Sequence, residues 1–217
     1  MRLPLLGLLF MTIGSLEAAA ESRPPAITWE WFNAATIHLK NQGAGNRSQT
    51  LAAHYYRLAA ERGNAAAAYK LGEMWEEGRG LQQDYGQALR WYRLAAEQGD
   101  RYALFKLGLF SQKGWGGGKD AKKAARFYLA AAQAGNLWGL HMLAFMLADG
   151  DGLDPDGGRA ILYFEQSLPF TGDHWAKWKL AVLLGDRDPG RADRLMQEAA
   201  AAGNPEALKA KAAQPRN

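Results

Sequence analysis

RLAAERGN at residues 57–64 is spelled again as RLAAEQGD at 93–100, displaced by 36 positions. The glycine near its end recurs at Gly63, Gly99, Gly135, Gly172 and Gly203, followed in turn by Asn64, Asp100, Asn136, Asp173 and Asn204. Glycine takes the left-handed conformation that closes a helix, and a short polar side chain beside it accepts hydrogen bonds from the first turn of the next helix. Each pair therefore predicts a corner between two helices, and Pro205 suits the first helical position after the last corner.

A second column of capping residues lies between the corners: Ser48, Asp84, Asp120, Asp156 and Asp188, each four residues before an alanine (Ala52, Ala88, Ala124, Ala160 and Ala192). Every repeat is thus expected to hold two helices. In the first, as in AAYKLGEMWEEG, Ala67, Leu71 and Met74 share one stripe and Gly72 lets a neighbouring helix come close. The second, as in DYGQALRWYRLAAEQG, is expected to bury Ala88, the Ala95–Ala96 pair and one of Trp91 or Tyr92. A single pair cannot bury both of its faces, so the pairs stack.

The stretch LGEMWEEGRGLQQDYGQALRWYRLAAEQGD (71–100) resembles the Sel1-like repeat, a relative of the tetratricopeptide repeat, at Leu71, Gly72, Trp75, Gly78, Gly80, Asp84, Ala88, Trp91, Tyr92, Ala95, Ala96 and Gly99. The next unit matches through Leu107, Gly108, Gly114, Gly116, Asp120, Ala124, Phe127, Tyr128, Ala131 and Gly135. A weaker unit runs from Leu143 to Gly172, and a shorter one, with a tighter inter-helix loop, includes Leu180 and Ala192. TWEWFNAATIHL and SQTLAAHYYRLAAERGN resemble a degenerate first pair. The resemblance implies an all-α fold, a right-handed α-solenoid of about five helix pairs. The expected layout is a signal peptide at 1–20, a degenerate pair at 21–64, the repeat solenoid at 65–204, and a capping helix and tail at 205–217.

The leader reading comes from MRLPLLGLLFMTIGSLEAAA, which has one early base, Arg2, an apolar run from Leu3 to Ile13, and small residues at Ala18 and Ala20. It reads as a secretory signal cleaved before Glu21, and no second apolar stretch long enough to span a bilayer follows. A periplasmic or secreted protein is expected. The chain has no cysteine, so disulfides and a lipoprotein anchor are excluded. Its net charge of +4 is dispersed; the densest basic stretch, KDAKKAAR (119–126), is broken by alanines, so no nucleic-acid partner is expected.

Signals for catalysis are poor. His38, His54, His141 and His174 lack zinc-ligand spacing, and neither a G-x-S-x-G elbow nor a phosphate loop occurs. GWGGGK (114–119) falls in an inter-helix loop. The acidic DGDGLDPDGG (149–158) lacks the glycine a calcium loop needs at its sixth position, counted from Asp154, and Asp156 is already assigned as a cap. No catalytic residue, metal or cofactor is expected.

A binding signal emerges on numbering residues from each corner glycine. The fourth position is small (Ala67, Ala103, Gly139, Ala176, Ala207) and the eighth is leucine in four units, marking the packed stripe. Positions three, six and ten lie on nearly the opposite side, where a solvated helix would be polar. There the chain places Tyr102, Phe105 and Leu109; then Trp138, His141 and Phe145; then Trp175, Trp178 and Val182; the earlier unit has Ala66, Tyr69 and Glu73. Tyr69, Phe105, His141 and Trp178 either wedge between helices or join a binding strip, whereas the third-position rings are expected to bind. Lys106 and Lys179 would steer acidic groups, and Trp115 is a secondary candidate.

The family resemblance implies an adaptor that holds a protein or peptide partner of the cell envelope in its concave groove. A second reading is a glycan-binding or polysaccharide-assembly role, since Trp and Tyr also stack on sugars. A third is β-lactam binding or hydrolysis, which the resemblance associates with members carrying a cysteine pair per repeat; this chain has none.

Overall fold

The computed structural model describes residues 25–40 and 45–213. The expected leader (1–20), its cleavage point at Glu21 and the tail residues 214–217 lie outside the described residues. Among the described residues all regular structure is helical: α1 (Ala26–Lys40), α2 (Gly45–Ala60), α3 (Ala65–Glu77), α4 (Tyr85–Glu97), α5 (Arg101–Lys113), α6 (Ala121–Gln133), α7 (Leu137–Asp149), α8 (Gly157–Thr171), α9 (His174–Leu184), α10 (Pro189–Ala201) and α11 (Pro205–Ala213). A short 3₁₀ turn at Gly185–Arg187 makes the tight link before α10. None of these helices is long and apolar enough to cross a membrane.

The chain divides into two compact units, residues up to Asp100 and residues from Arg101 onward. In the first, α1 packs on α2, α2 on α3 and α3 on α4; in the second, each helix from α5 to α11 packs on its successor, and α5 also touches α7 as α7 touches α9. This is the neighbour-only contact pattern of an α-solenoid, in which stacked hairpins share a core.

The corners form as their chemistry dictates. Gly63, Gly99, Gly135, Gly172 and Gly203 all have positive φ. Asn64 Oδ1 accepts from Ala67 N at 3.0 Å, Asn136 Oδ1 from Gly139 N at 3.1 Å, and Asn204 Oδ1 from Ala207 N at 2.9 Å. Between corners, Asp84, Asp120, Asp156 and Asp188 each accept from the backbone N–H three residues on, at 2.9–3.1 Å. Ser48 departs from this column. It sits inside the first turn of α2, buried, and its hydroxyl donates to the His38 carbonyl at 2.7 Å, tying α2 to α1 where a cap was expected.

The core is a repeating lock. Tyr56, Tyr92, Tyr128 and Phe164, spaced by 36 residues, are at most 1% exposed. Opposite them runs a notch: a Cβ on Gly72 would lie 2.6 Å from the Tyr92 ring, and one on Gly108 would lie 2.6 Å from the Tyr128 ring. This notch decides between the two neighbouring rings of α4, so Tyr92 turns inward and Trp91 stays half-buried. Where the pillar becomes the smaller Phe164, the notch residue becomes Ala144, and the two share one core cluster. Burial pushes the hydroxyl pKa of Tyr92 and Tyr128 far up, and Tyr92 also donates to the Glu76 carboxylate. The eighth-position leucines Leu71, Leu107, Leu143 and Leu180 are buried, whereas α11 places Lys211 at that position, alongside Asp193, Met196 and Gln197.

Candidate functional site

In the second unit, α5, α7 and α9 begin alike. Their third-position rings Tyr102, Trp138 and Trp175 are 47%, 50% and 41% exposed, while the next residues, Ala103, Gly139 and Ala176, are buried. Gly139 seats α7 tightly on α6, since a Cβ there would meet the Tyr128 carbonyl oxygen at 2.8 Å and the Ala131 Cβ at 2.9 Å. The small residue at four fixes each helix's rotation and leaves the large ring at three outside. Phe105 and Trp178 are half-buried, as are Leu109 and Phe145. Trp138 stands edge-on to His141 at 5.8 Å, and Trp175 edge-on to Trp178 at 6.1 Å between centroids.

Polar ties fix these helix starts relative to one another. Asn136 donates from Nδ2 to the Arg101 carbonyl at 3.1 Å, joining the beginning of α7 to that of α5, beside Tyr102. Asp173 does two things: Oδ1 accepts from Trp175 N at 2.9 Å, and Oδ2 accepts from His141 Nε2 at 3.0 Å. An ionised carboxylate only accepts, so Nε2 carries the donated proton. His141 lies one turn after Trp138 on α7, and Trp175 lies two residues after Asp173, so this bridge sets the spacing of the two indoles. The repeat pattern assigns Asp173 a capping role only; the bond of its second oxygen depends on His141, 32 residues away, turning inward.

His141, 3% exposed, is the buried member of the sixth-position column. Its Nδ1 faces the Ser167 hydroxyl at 3.2 Å. Ser167 occupies the position of Ala59, Ala95 and Ala131 in the other units, so a serine and a histidine replace an alanine and an aromatic residue together. Serine, histidine and aspartate in hydrogen-bonded sequence resemble a nucleophilic triad, but Ser167 is 0% exposed and its hydroxyl also donates to the Tyr163 carbonyl at 2.9 Å. A substrate carbonyl has no approach to that oxygen, so the arrangement is a clamp between α7, α8 and the start of α9.

Charge on this face is modest. Lys179 pairs with Asp149 and lies over the Trp178 ring at 5.4 Å, so part of its charge is already answered. Lys106 is half-buried, and the Arg101 guanidinium sits 5.1 Å above the Tyr102 ring. Asp156, the cap residue within the acidic loop, is held by Arg159, whose backbone N–H and side chain keep its carboxyl below the usual range. Trp115 is half-buried and edge-on to Phe110 at 5.5 Å, anchoring its loop to α5.

The remaining candidate, Tyr69, belongs to the first unit and has different surroundings. Its hydroxyl donates to Glu73 Oε1 at 2.8 Å, and Lys70 donates to Glu73 Oε2 at 2.8 Å. Burial, reinforced by that carboxylate, pushes the Tyr69 pKa up. No ring precedes it at the third position, which is Ala66.

The repeated helical hairpins, their glycine notches and their neighbour-only packing define an α-helical repeat scaffold. The Sel1 repeat model matches residues 32–64, 65–100, 101–136, 139–168 and 176–204, and the chain belongs to the Sel1-repeat family. Its fold is similar to that of a Sel1 repeat protein from Oxalobacter formigenes, with 29% identity, a TM-score of 0.70, and coverage of 84% of this chain and 74% of that one. It is also similar to a protective antigen of uropathogenic Escherichia coli with an SLR fold, at 26% identity and a TM-score of 0.74. That match covers 88% of this chain but only 40% of the antigen, so the chain spans less than half of that relative. A comparison with curated protein sequences finds no match.

Proposed function

We propose that the face carrying Tyr102, Trp138 and Trp175 binds an extended segment of a protein partner, and that the chain is a scaffold without chemistry of its own, exported to the periplasm or beyond. The observation behind this is the exposure of three large rings in register, one per repeat, held apart by hydrogen-bonded ties. Water solvates such a row poorly, and aromatic anchors of this kind dominate protein interfaces. Phe105, Leu109, Phe145, Trp178, Lys106 and Lys179 would form the floor and rim, with His141 holding the anchors from beneath.

A photo-reactive residue placed at 138 in the producing cell should yield a discrete protein adduct. The same residue at Leu162, 47% exposed on α8, should not. Identical adducts from both positions would overturn the assignment, and an adduct of polysaccharide would favour the glycan reading of the same rings. Export rests on residues 1–20, and mass spectrometry of the protein recovered from its host should place the N-terminus at Glu21; a retained Met1 would defeat it.

A further inference from the structure

The first unit contains a pocket of about 210 Å³ formed by α2, α3, α4 and the loop between the last two. Its walls are apolar, chiefly Leu71, Trp75, Leu81 and Trp91, and its lining also includes His54, Arg57 and Gln87. Thr50 donates to the Gly80 carbonyl at 3.0 Å, and a Cβ on Gly80 would lie 2.5 Å from the Gln49 backbone, so the loop is fitted closely against α2 and the wall is fixed.

We propose that this pocket binds a small organic acid whose carboxylate is carried on a short chain from an aromatic ring. Arg57 has no carboxylate partner among the described residues. Its guanidinium donates from Nη2 to His54 Nδ1 at 3.3 Å, which requires the neutral imidazole to carry its proton on Nε2. Arg57, His54 and Gln87 thus offer donors beside an apolar hollow, with no acid among the lining residues. A planar guanidinium matches a carboxylate with two parallel bonds, and the indole walls accept a flat apolar group. Size restricts the choice: a dry cavity of about 150 Å³ accommodates benzene, so this one takes a ring with a short side chain.

The pair of indoles is particular to its unit. One repeat later the positions of Trp75 and Trp91 hold Ser111 and Phe127, and two repeats later Leu147 and Tyr163. Arg57 itself is followed by Arg93 and then Leu129. The arginine thus recurs once, whereas the two indoles stand together in this unit alone.

The test is calorimetric titration of the full chain with 3-phenylpropionate, its neutral amide, and a tetrapeptide ending in phenylalanine. The acid should bind, with the amide at least about tenfold weaker, because hydrogen bonds to a charged group are worth roughly one to two orders of magnitude in affinity. Arg57→Leu should erase the difference between acid and amide without changing the melting temperature, and Arg57→Lys should restore part of it. Equal binding of acid and amide, no binding of either, or binding of the peptide alone would overturn the proposal.

Discussion

The two units are built on one hairpin but present different faces. In the first, positions three, six and ten of α3 read Ala66, Tyr69 and Glu73, and the tyrosine and glutamate satisfy each other, with Lys70 completing the cluster. In the second, the same positions read Tyr102, Phe105 and Leu109, then Trp138, His141 and Phe145, then Trp175, Trp178 and Val182. The polar set closes on itself; the aromatic set is left half open. The same repeated hairpin therefore yields one face whose polar groups pair with one another and one that leaves large rings exposed, and the difference lies in side chains that the repeat does not need for stacking.

Removing the rings breaks that contrast most sharply. Trp138→Ala with Trp175→Ala should weaken capture of the crosslinked partner by about 4 kcal/mol, roughly 2 for each anchor, or about a thousandfold. Both rings are about half exposed, so the melting temperature should move little; capture that survives the double change would show the row is not the docking face.

Below that come the notches, shared by the two units. Replacing an interior helical glycine by alanine ordinarily stabilises by about 0.5–1 kcal/mol. At Gly72 and Gly108 the sign should reverse, because the new methyl would lie 2.6 Å from a fully buried tyrosine ring, and overpacking costs about 1–3 kcal/mol. Denaturant titration of Gly72→Ala and Gly108→Ala reads this directly. Stabilisation by either would mean the ring has room to retreat.

The tyrosine pillars add a dependence on pH. Both pillars of the first unit are tyrosines, Tyr56 and Tyr92, whereas the second pairs Tyr128 with Phe164. Burial raises the folded-state pKa of Tyr56, Tyr92 and Tyr128 above the ordinary value of 10.0. Their contribution is therefore fully present below pH 10 and is lost as pH climbs from there toward the folded values, because the unfolded chain ionises first. At pH 11 Tyr92 and Tyr128 should each cost about 1.4 kcal/mol. Thermal melts should be level from pH 7 to 9 and fall by pH 11, less steeply in Tyr128→Phe; an unchanged fall in that variant would remove Tyr128 from the account.

Much of this was legible from spacing. Gly63 with Asn64 and its four counterparts announced the corners, because left-handed backbone and helix capping restrict residue choice at single positions. What spacing could not resolve were choices between adjacent positions. Trp91 and Tyr92 differ by 100° of rotation, and Gly72, on another helix, selects the tyrosine. Ser48 has the chemistry of a cap, yet α2 begins at Gly45 and the hydroxyl turns to His38. His141 shares a column with Phe105 and Trp178 but is drawn inward by Ser167 and Asp173, 26 and 32 residues away. The pocket beside Arg57 leaves no mark in the sequence pattern because its walls come from three helices and a loop, and no single periodicity joins them.

The smallest effect expected is also the finest test of the contrast. Glu73→Leu would give α3 the tenth-position leucine found in α5 while leaving Ala66 in place. It removes the carboxylate that the Tyr69 hydroxyl and Lys70 share, and the Lys70 side chain, 43% exposed, regains water easily. The Lys70–Glu73 ion pair by itself is worth about 0–1 kcal/mol, so its loss should lower stability by no more than about 1 kcal/mol. If apolarity at positions six and ten sufficed for docking, this variant would crosslink to the same partner from position 69. If the exposed ring at position three is the anchor, Glu73→Leu should stay silent, and adding Ala66→Trp to it should produce the first adduct from that unit.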